Sequence, residues 1–572
     1  MLAELLAQAR GDKKADLVLK NCRILDVYNC RIFTDDLAIG QGKIIGSGDY
    51  QGRREIDLAG NYLAPAFIDG HLHLESAMVR VDELAKLVLS RGVTTVVADP
   101  HEIANVAGVE GIKYLLNRGK DLPWNFHLML PSCVPATPLE NSGARLEAED
   151  LADLKEEPEV FGLGEVMDYP GVIQGEEKLL AKIKLMEDRF IDGHAPEVTG
   201  RELNAYLLAG IQADHECTTA EEACAKVAKG MYVMIRQGSV TRDLQALLPA
   251  VRAENNDRFL LATDDREPED LLAEGHLDYA VKLAIARGLA PLLAYRLATL
   301  NAARALGLDD RGAISPGKRA DLIVLKDLEK VELEMVFKDG KLLYNRGEWL
   351  EEITPPTPQD GLEEKITSTV RLPEVSQQDF TLPAGKKYRV MTLKEDQIIT
   401  GEEFVHRKEG EKQQDFLTRT NTQLIAVVER HQASGKIGLG LVKGFNLEDG
   451  AIASSVAHDS HNLIAVGRRA ADLLAAFKAI EKRQGGQVVI AGEEVKAELP
   501  LPIAGLMADL PLPEVARRQQ ELSQAVRELG EDKKNAFMTL SFLALSVIPE
   551  LKITERGFFN VKEFKEVSLV VE

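Results

Sequence analysis

The stretch Ala64-Pro-Ala-Phe-Ile-Asp-Gly-His-Leu-His-Leu-Glu-Ser-Ala77 ends a short apolar run in two histidines one residue apart, His71 and His73. In an extended strand, positions i and i+2 face the same side, so both imidazoles project together. Two such rings at the end of a buried strand can grip a divalent metal ion. Two ordinary strand histidines would look the same, so the chemistry turns on whether the chain supplies further ligands. Ala98-Asp-Pro-His-Glu brings His101, Gly162-Leu-Gly-Glu-Val brings Glu165, and Asp192-Gly-His-Ala-Pro brings His194. Ala213-Asp-His-Glu-Cys then brings His215, and Ala262-Thr-Asp-Asp brings Asp264. Each alone reads as a hydrogen-bonded loop histidine or a solvated carboxylate. Five histidines and two carboxylates, each at an expected strand end, point to a metal site.

With His101 set aside, the other six suit two adjacent divalent ions. Imidazoles and carboxylates without thiolates favour zinc, manganese or iron(II). Glu165 could bridge the pair. Paired metals bring the pKa of a shared water near neutrality, giving hydroxide as nucleophile, and they polarise the reacting centre. Asp264 could both bind metal and carry the proton from that hydroxide to the leaving group. The expectation is a metal-dependent hydrolase with no other cofactor.

Gathering these groups requires a fold that collects strand ends. Between about 63 and 306 the pattern runs strand then helix repeatedly, with strands expected at 67–71, 94–98, 125–130, 160–165, 190–193, 210–214, 232–236 and 258–262. Helical periodicity covers 81–91, 109–118, 176–189 and 220–229. Eight such units in about 240 residues have the size and rhythm of a (β/α)8 TIM-like barrel, whose functional groups sit at the C-terminal strand ends. A doubly wound sheet is the alternative, and the recurrence of polar groups at strand ends favours the barrel. Short strands and turns before and after it predict a split, small β-domain, 1–63 and 307–353, with Lys338-Asp-Gly-Lys341 as a hairpin turn. A proline-rich tether, 354–363, leads to a C-terminal α+β domain, 364–572. The whole is an α/β chain.

Composition narrows the partners. At 572 residues the chain divides into roughly three or four domains. A net charge of −22 argues against nucleic acid or an anionic membrane as the main partner and leaves a small neutral or cationic substrate. Five scattered cysteines without a Cys-x-x-Cys pair favour neither a disulfide framework nor a thiolate zinc site. No signal-peptide pattern opens the chain, and no apolar run approaches the ~20 residues of a membrane helix. A cytoplasmic protein is expected. Oligomeric state is not legible, and a homo-oligomer, with a dimer as the simplest case, is the expectation.

A second histidine cluster, His458, Asp459 and His461, lies in Ile452-Ala-Ser-Ser-Val-Ala-His-Asp-Ser-His-Asn462 between strand-like flanks and reads as a loop. It is either a domain contact or a cover over the barrel mouth that touches substrate. Cys217 and Cys224 read as buried thiols, and His127, His276, His406 and His431 as structural or exposed.

The first-strand motif, the later histidines, Ala262-Thr-Asp-Asp and the closing Gly317-Lys-Arg-Ala-Asp-Leu resemble the amidohydrolase superfamily over residues 15 to about 345. Many binuclear members carry a carboxylated lysine after the fourth strand. Glu165 stands there instead, which speaks against dihydroorotase, dihydropyrimidinase or urease readings. With Ala98-Asp-Pro-His-Glu-Ile-Ala-Asn-Val and the 452–462 segment, the whole chain resembles the bacterial adenine deaminases. That resemblance implies conversion of adenine and water to hypoxanthine and ammonia, in purine salvage, at a two-ion site holding Mn2+, with Fe2+ or Zn2+ as alternatives. Carried over by position, His71, His73, Glu165, His194, His215 and Asp264 are its metal ligands. Glu75 and His101 are candidates for the acid that protonates the ring nitrogen, and each could instead merely orient its neighbours. The rivals are an amidohydrolase acting on a cyclic amide or another aminated heterocycle, a zinc base deaminase of another fold, and a metal-free scaffold.

Overall fold

A computed structural model describes residues 2–137, 140–355, 361–394, 399–533 and 535–572. Part of the expected tether, 356–360, lies outside the described residues.

The mixed α/β core is built on eight parallel strands. Phe67–Leu72, Val93–Ala98, Asn125–Leu130, Val160–Val166 and Phe190–Gly193 pair in that order, and Ala213–Asp214, Tyr232–Arg236 and Phe259–Ala262 form a second run. Val93–Ala98 is Val-Thr-Thr-Val-Val-Ala and is buried throughout. Such unbroken runs suit parallel strands, which are covered on both faces. Two sets of backbone hydrogen bonds join the runs. The Gln212 N–H donates to the Ile191 carbonyl at 3.0 Å. On the other side the Asp264 N–H donates to the His71 carbonyl at 3.1 Å, and the His73 N–H returns to the Asp264 carbonyl at 3.2 Å. The arrangement is TIM-barrel-like.

Two expected boundaries move. The strand predicted at 210–214 keeps only Ala213–Asp214, because Gly210 takes a left-handed backbone at φ 103° and delays extension. The helix predicted from 109 begins eight residues earlier, as His101–Gly119. Gly108, at φ 58° and ψ −140°, kinks it and hid its first half from a periodicity count.

The flanking segments meet in one nine-stranded sheet, larger than the small domain expected. Tyr62–Pro65 lies antiparallel to Leu322–Asp327, pairing Leu63 with Val324 and Pro65 with Leu322, so residues from both sides of the core share one ladder. Lys338 and Lys341 pair across the expected hairpin turn. The C-terminal segment carries an eight-stranded sheet, with helix Ala470–Arg483 packed on it. Helix Leu512–Glu528 lies against Pro268–Ala273, and the Ala508 N–H donates to the Met78 carbonyl at 2.9 Å. The C-terminal segment thus reaches the end of the core where the first and last strands close.

Candidate metal centre and its surroundings

The six residues expected as ligands converge. His71 and His73 leave the first strand with their Nε2 atoms 3.2 Å apart. His73 Nε2 lies 3.4 Å from Glu165 Oε1 and 3.3 Å from Asp264 Oδ1. On its other side Glu165 Oε2 meets His194 Nδ1 at 2.5 Å and His215 Nε2 at 3.1 Å. His71, His73 and Glu165 therefore form one group of ligand atoms, and Glu165, His194 and His215 another, each within 4.8 Å. Glu165 is common to both. His71, His215 and Asp264 make a further such group.

The outer nitrogens define what the inner ones can do. His71 Nδ1 donates to Asp192 Oδ2 at 2.9 Å, and His73 Nδ1 donates to the Asp99 carbonyl at 3.1 Å. With the proton on Nδ1, each neutral ring turns a lone pair inward from Nε2. Two such lone pairs 3.2 Å apart repel unless they share a positive charge, a proton or a metal ion. The field of the site makes the same demand. Burial pulls His71 down, but the Asp192 and Asp264 carboxylates outweigh it and hold it up to about 10. Burial pushes Glu165 up, but His215 and His194 draw it well below the ordinary carboxylate range. Four buried or nearly buried imidazoles around two ionised carboxylates fit a divalent cation.

His101, set aside in the sequence, stands beside these groups. It opens helix His101–Gly119, and its Nδ1 lies 3.4 Å from Glu165 Oε1 and 3.3 Å from Asp99 Oδ1, without hydrogen-bond geometry to either. Glu75 is buried in a short turn after the first strand. Its Oε1 accepts the Ile103 N–H at 3.0 Å, and its Oε2 has no hydrogen-bond partner among the described residues. Burial, and then the charge of Glu102, push Glu75 up to about 7.

Sequence reasoning missed the supports. Within the strand-and-helix core, Asp-x-His occurs at 69–71, 99–101 and 192–194, and that repeated spacing was the available signal. Each aspartate braces another strand. Asp69 Oδ2 accepts from Thr263 Oγ1 at 2.6 Å, Asp99 Oδ2 accepts the Glu165 N–H at 2.8 Å, and Asp192 holds His71. Asp99 can reach Glu165 because residue 164 is glycine: a Cβ there would stand 2.2 Å from Asp99 Oδ2. Arg236 was also missed. Its Nη1 reaches Glu216 and lies 3.2 Å from Asp264 Oδ2, where Thr241 Oγ1 also donates at 3.3 Å. Asp264 is thus gripped at Oδ2 and presents Oδ1 to the histidines.

The 458–461 segment is a loop, as expected, and it meets the core. His458 Nδ1 bonds Glu102 Oε1 at 2.7 Å, and His461 Nε2 bonds Glu102 Oε2. The Ala457 N–H donates to His461 Nδ1 at 3.2 Å, which fixes the His461 proton on Nε2. Cys217 is buried and donates to Asp214 Oδ2 at 3.3 Å, while Cys224 is half-buried. His127 packs on Phe161, His276 is buried beside Thr263, His431 donates to the Ser460 carbonyl, and His406 is exposed.

Comparison with known proteins settles the family. Residues 62–343 match the amidohydrolase family, and residues 397–565 match the adenine deaminase C-terminal domain. The adenine deaminase of Petrotoga mobilis is 50% identical over 574 residues, covering 99% of both chains. The chain belongs to the adenine deaminases of the amidohydrolase superfamily. Adenine deaminase 2 of Carboxydothermus hydrogenoformans is 45% identical over 571 residues, again covering 99% of each chain. A divalent metal site accords with this family and with the clustered His, Glu and Asp residues. Among the described residues no helix is long and apolar enough to cross a membrane.

Proposed function

We propose that the chain hydrolyses adenine to hypoxanthine and ammonia, and that His71, His73, Glu165, His194, His215 and Asp264 would hold two divalent ions, with Glu165 common to both groups of ligand atoms. The observation that carries this reading is the position of Glu165, with one oxygen facing His73 and the other facing His194 and His215. Manganese is the preferred occupant, with iron(II) or zinc as alternatives. When bound, the metal pair supplies a more acidic water and polarises the reacting carbon. Asp264 takes the proton of the attacking water at Oδ1 and passes it to the departing amine. Against burial, His71 and His73 and then Arg236 keep that carboxylate ionised, while Arg236 and Thr241 on Oδ2 aim it. Glu75 delivers a proton from Oε2 to a ring nitrogen and is restored by the proton that the added hydroxyl loses as the carbonyl forms and the amine departs; a carboxyl pushed up to about 7 carries that proton near neutral pH. His101, 3.4 Å from Glu165 Oε1, stands as the second candidate for the acid.

The same proposal covers the layout: a closed (β/α)8 barrel at 64–306, a β-domain from 1–63 and 307–353, a linker at 354–363 and an α+β domain at 364–572. It places the enzyme in the cytoplasm as a homo-oligomer, taken as a dimer. The test is ammonia release from adenine, beside cytosine, guanine and hydantoin, by manganese-loaded and chelator-stripped protein. Activity confined to adenine and abolished by stripping is expected. Turnover that survives full metal removal would sink the mechanism, and turnover of another heterocycle alone would sink the substrate.

A further inference from the structure

The loop between strands Ala451–Ser454 and Leu463–Gly467 is held at almost every residue. His458 and His461 grip the two oxygens of Glu102. His431 donates to the Ser460 carbonyl at 2.8 Å, and the Arg430 guanidinium donates to the His461 carbonyl. Asn462 accepts the Arg430 N–H and donates to the Asn141 carbonyl. Asp459, flanked by the two clamped positions, is the exception. It is 4% exposed, and its Oδ2 has no hydrogen-bond partner among the described residues. Buried carboxylate oxygens are normally satisfied, and one left open asks for an explanation.

Its surroundings say where it sits. Burial pushes the Asp459 carboxyl up to about 6; His101 draws it down, Glu102 pushes it up, His458 draws it down and Glu165 pushes it up. Through His458 and His461 its loop grips Glu102, whose Oε1 lies 3.5 Å from His101 Nε2, and His101 Nδ1 lies 3.4 Å from Glu165 Oε1, so the loop abuts the candidate metal centre while belonging to the C-terminal segment. An ionised carboxylate only accepts, so its partner must be an N–H or O–H donor. Adenine carries N–H donors at two places, the amine and the imidazole ring. The amine leaves at the metal centre, which leaves the imidazole-ring N–H for a neighbouring carboxylate that is not among the expected ligands.

We propose that Asp459 Oδ2 accepts the imidazole-ring N–H of the purine, and that this contact selects the free base over a nucleoside. The proposal rests on the deaminase reading above. A ribose on N9 removes the donor and leaves the buried carboxylate unpaired. Sites built around such a polar contact reject the analogue lacking it far more strongly than apolar pockets do.

The test uses the manganese-loaded full chain with adenine and 9-methyladenine, which lacks that N–H. Wild type is expected to favour adenine by at least about a hundredfold in kcat/KM. Asp459→Ala should raise the KM for adenine about ten- to hundredfold with kcat nearly unchanged, and should collapse the preference over 9-methyladenine. Asp459→Asn, which keeps the volume, decides the matter if the alanine variant loses metal or melts early. Unchanged KM and unchanged preference in a metal-replete variant would overturn the assignment. Wild type that releases no ammonia from adenine would instead overturn the deaminase reading, and this assignment with it.

Discussion

Two histidine clusters lie buried in this molecule, and they have nearly the same ingredients. One gathers His71, His73, His194 and His215 around Glu165 and Asp264; the other sets His458 and His461 on Glu102. Each satisfies a distance criterion for metal binding, with ligand atoms within 4.8 Å. What separates them is the far nitrogen of each ring. His71 and His73 donate hydrogen bonds from Nδ1 to oxygen atoms, which leaves Nε2 facing the carboxylates as the place for a proton or a metal ion. His461 accepts a hydrogen bond at Nδ1 from the Ala457 N–H, so Nε2 faces Glu102 as a donor. The first arrangement needs a shared positive charge, a proton or a metal ion, whereas the contact of His461 with Glu102 is already a satisfied hydrogen bond. Counting ligand types would miss this; the tautomer decides it.

The largest effect that can break the contrast is loss of the shared carboxylate. Glu165→Ala should lower kcat by about 10³-fold or more and reduce bound metal, measured by turnover and elemental analysis. His461→Ala should leave the metal content unchanged and cost about 1.5–3 kcal/mol of stability, read from denaturant melts. A fall in bound metal in that variant would place an ion in the second cluster. Asp192→Asn should weaken metal binding by about 10–100-fold, because the asparagine amide no longer fixes the His71 proton as firmly; a metal titration decides.

A pH series sharpens the same contrast. His458 is held up to about 9: burial pulls it down, but the charge and hydrogen bond of Glu102 outweigh that, with Asp265 and Asp459 adding to the push. Its folded value lies above the unfolded ~6.5, so its contribution is fully present below pH 6.5 and is lost as pH rises through 9. The stability gap between wild type and His458→Ala should therefore shrink from pH 6 to pH 9.5. A gap that widened would mean that His458 is neutral in the fold. At the bottom of the scale, Arg517→Ala removes exposed pairs to Glu514 and Glu521 and should leave the melting temperature where it was.

Much of the convergence of the first histidine cluster was legible because its members end strands, and strand ends show in the sequence as apolar runs stopping at a polar residue. The supports were less legible. Asp192 serves His71 rather than its neighbour His194, and Asp99 serves the Glu165 backbone, pairings that only the folded ring creates. Arg236 closes a strand without any motif around it, yet it holds Oδ2 of Asp264. The His458-Asp-Ser-His461 motif was visible as a motif, but its partner Glu102 is 356 positions from His458, and nothing local names it. The start of helix His101–Gly119 was hidden by one glycine whose backbone leaves the helical region.

The join between the first and last core strands has a consequence for synthesis. The hydrogen bonds that close it run between His71, His73 and Asp264, and Thr263 ties to Asp69 across 194 positions. A growing chain therefore exposes its first two histidines long before their opposite wall has left the ribosome. Until then the first strand is an open edge, the kind that recruits foreign strands. The residues proposed to hold the ions are also the buckle of the ring, so occupancy of the centre counts finished molecules. A chain cut short of Asp264 would lack both the buckle and a place to put the metal.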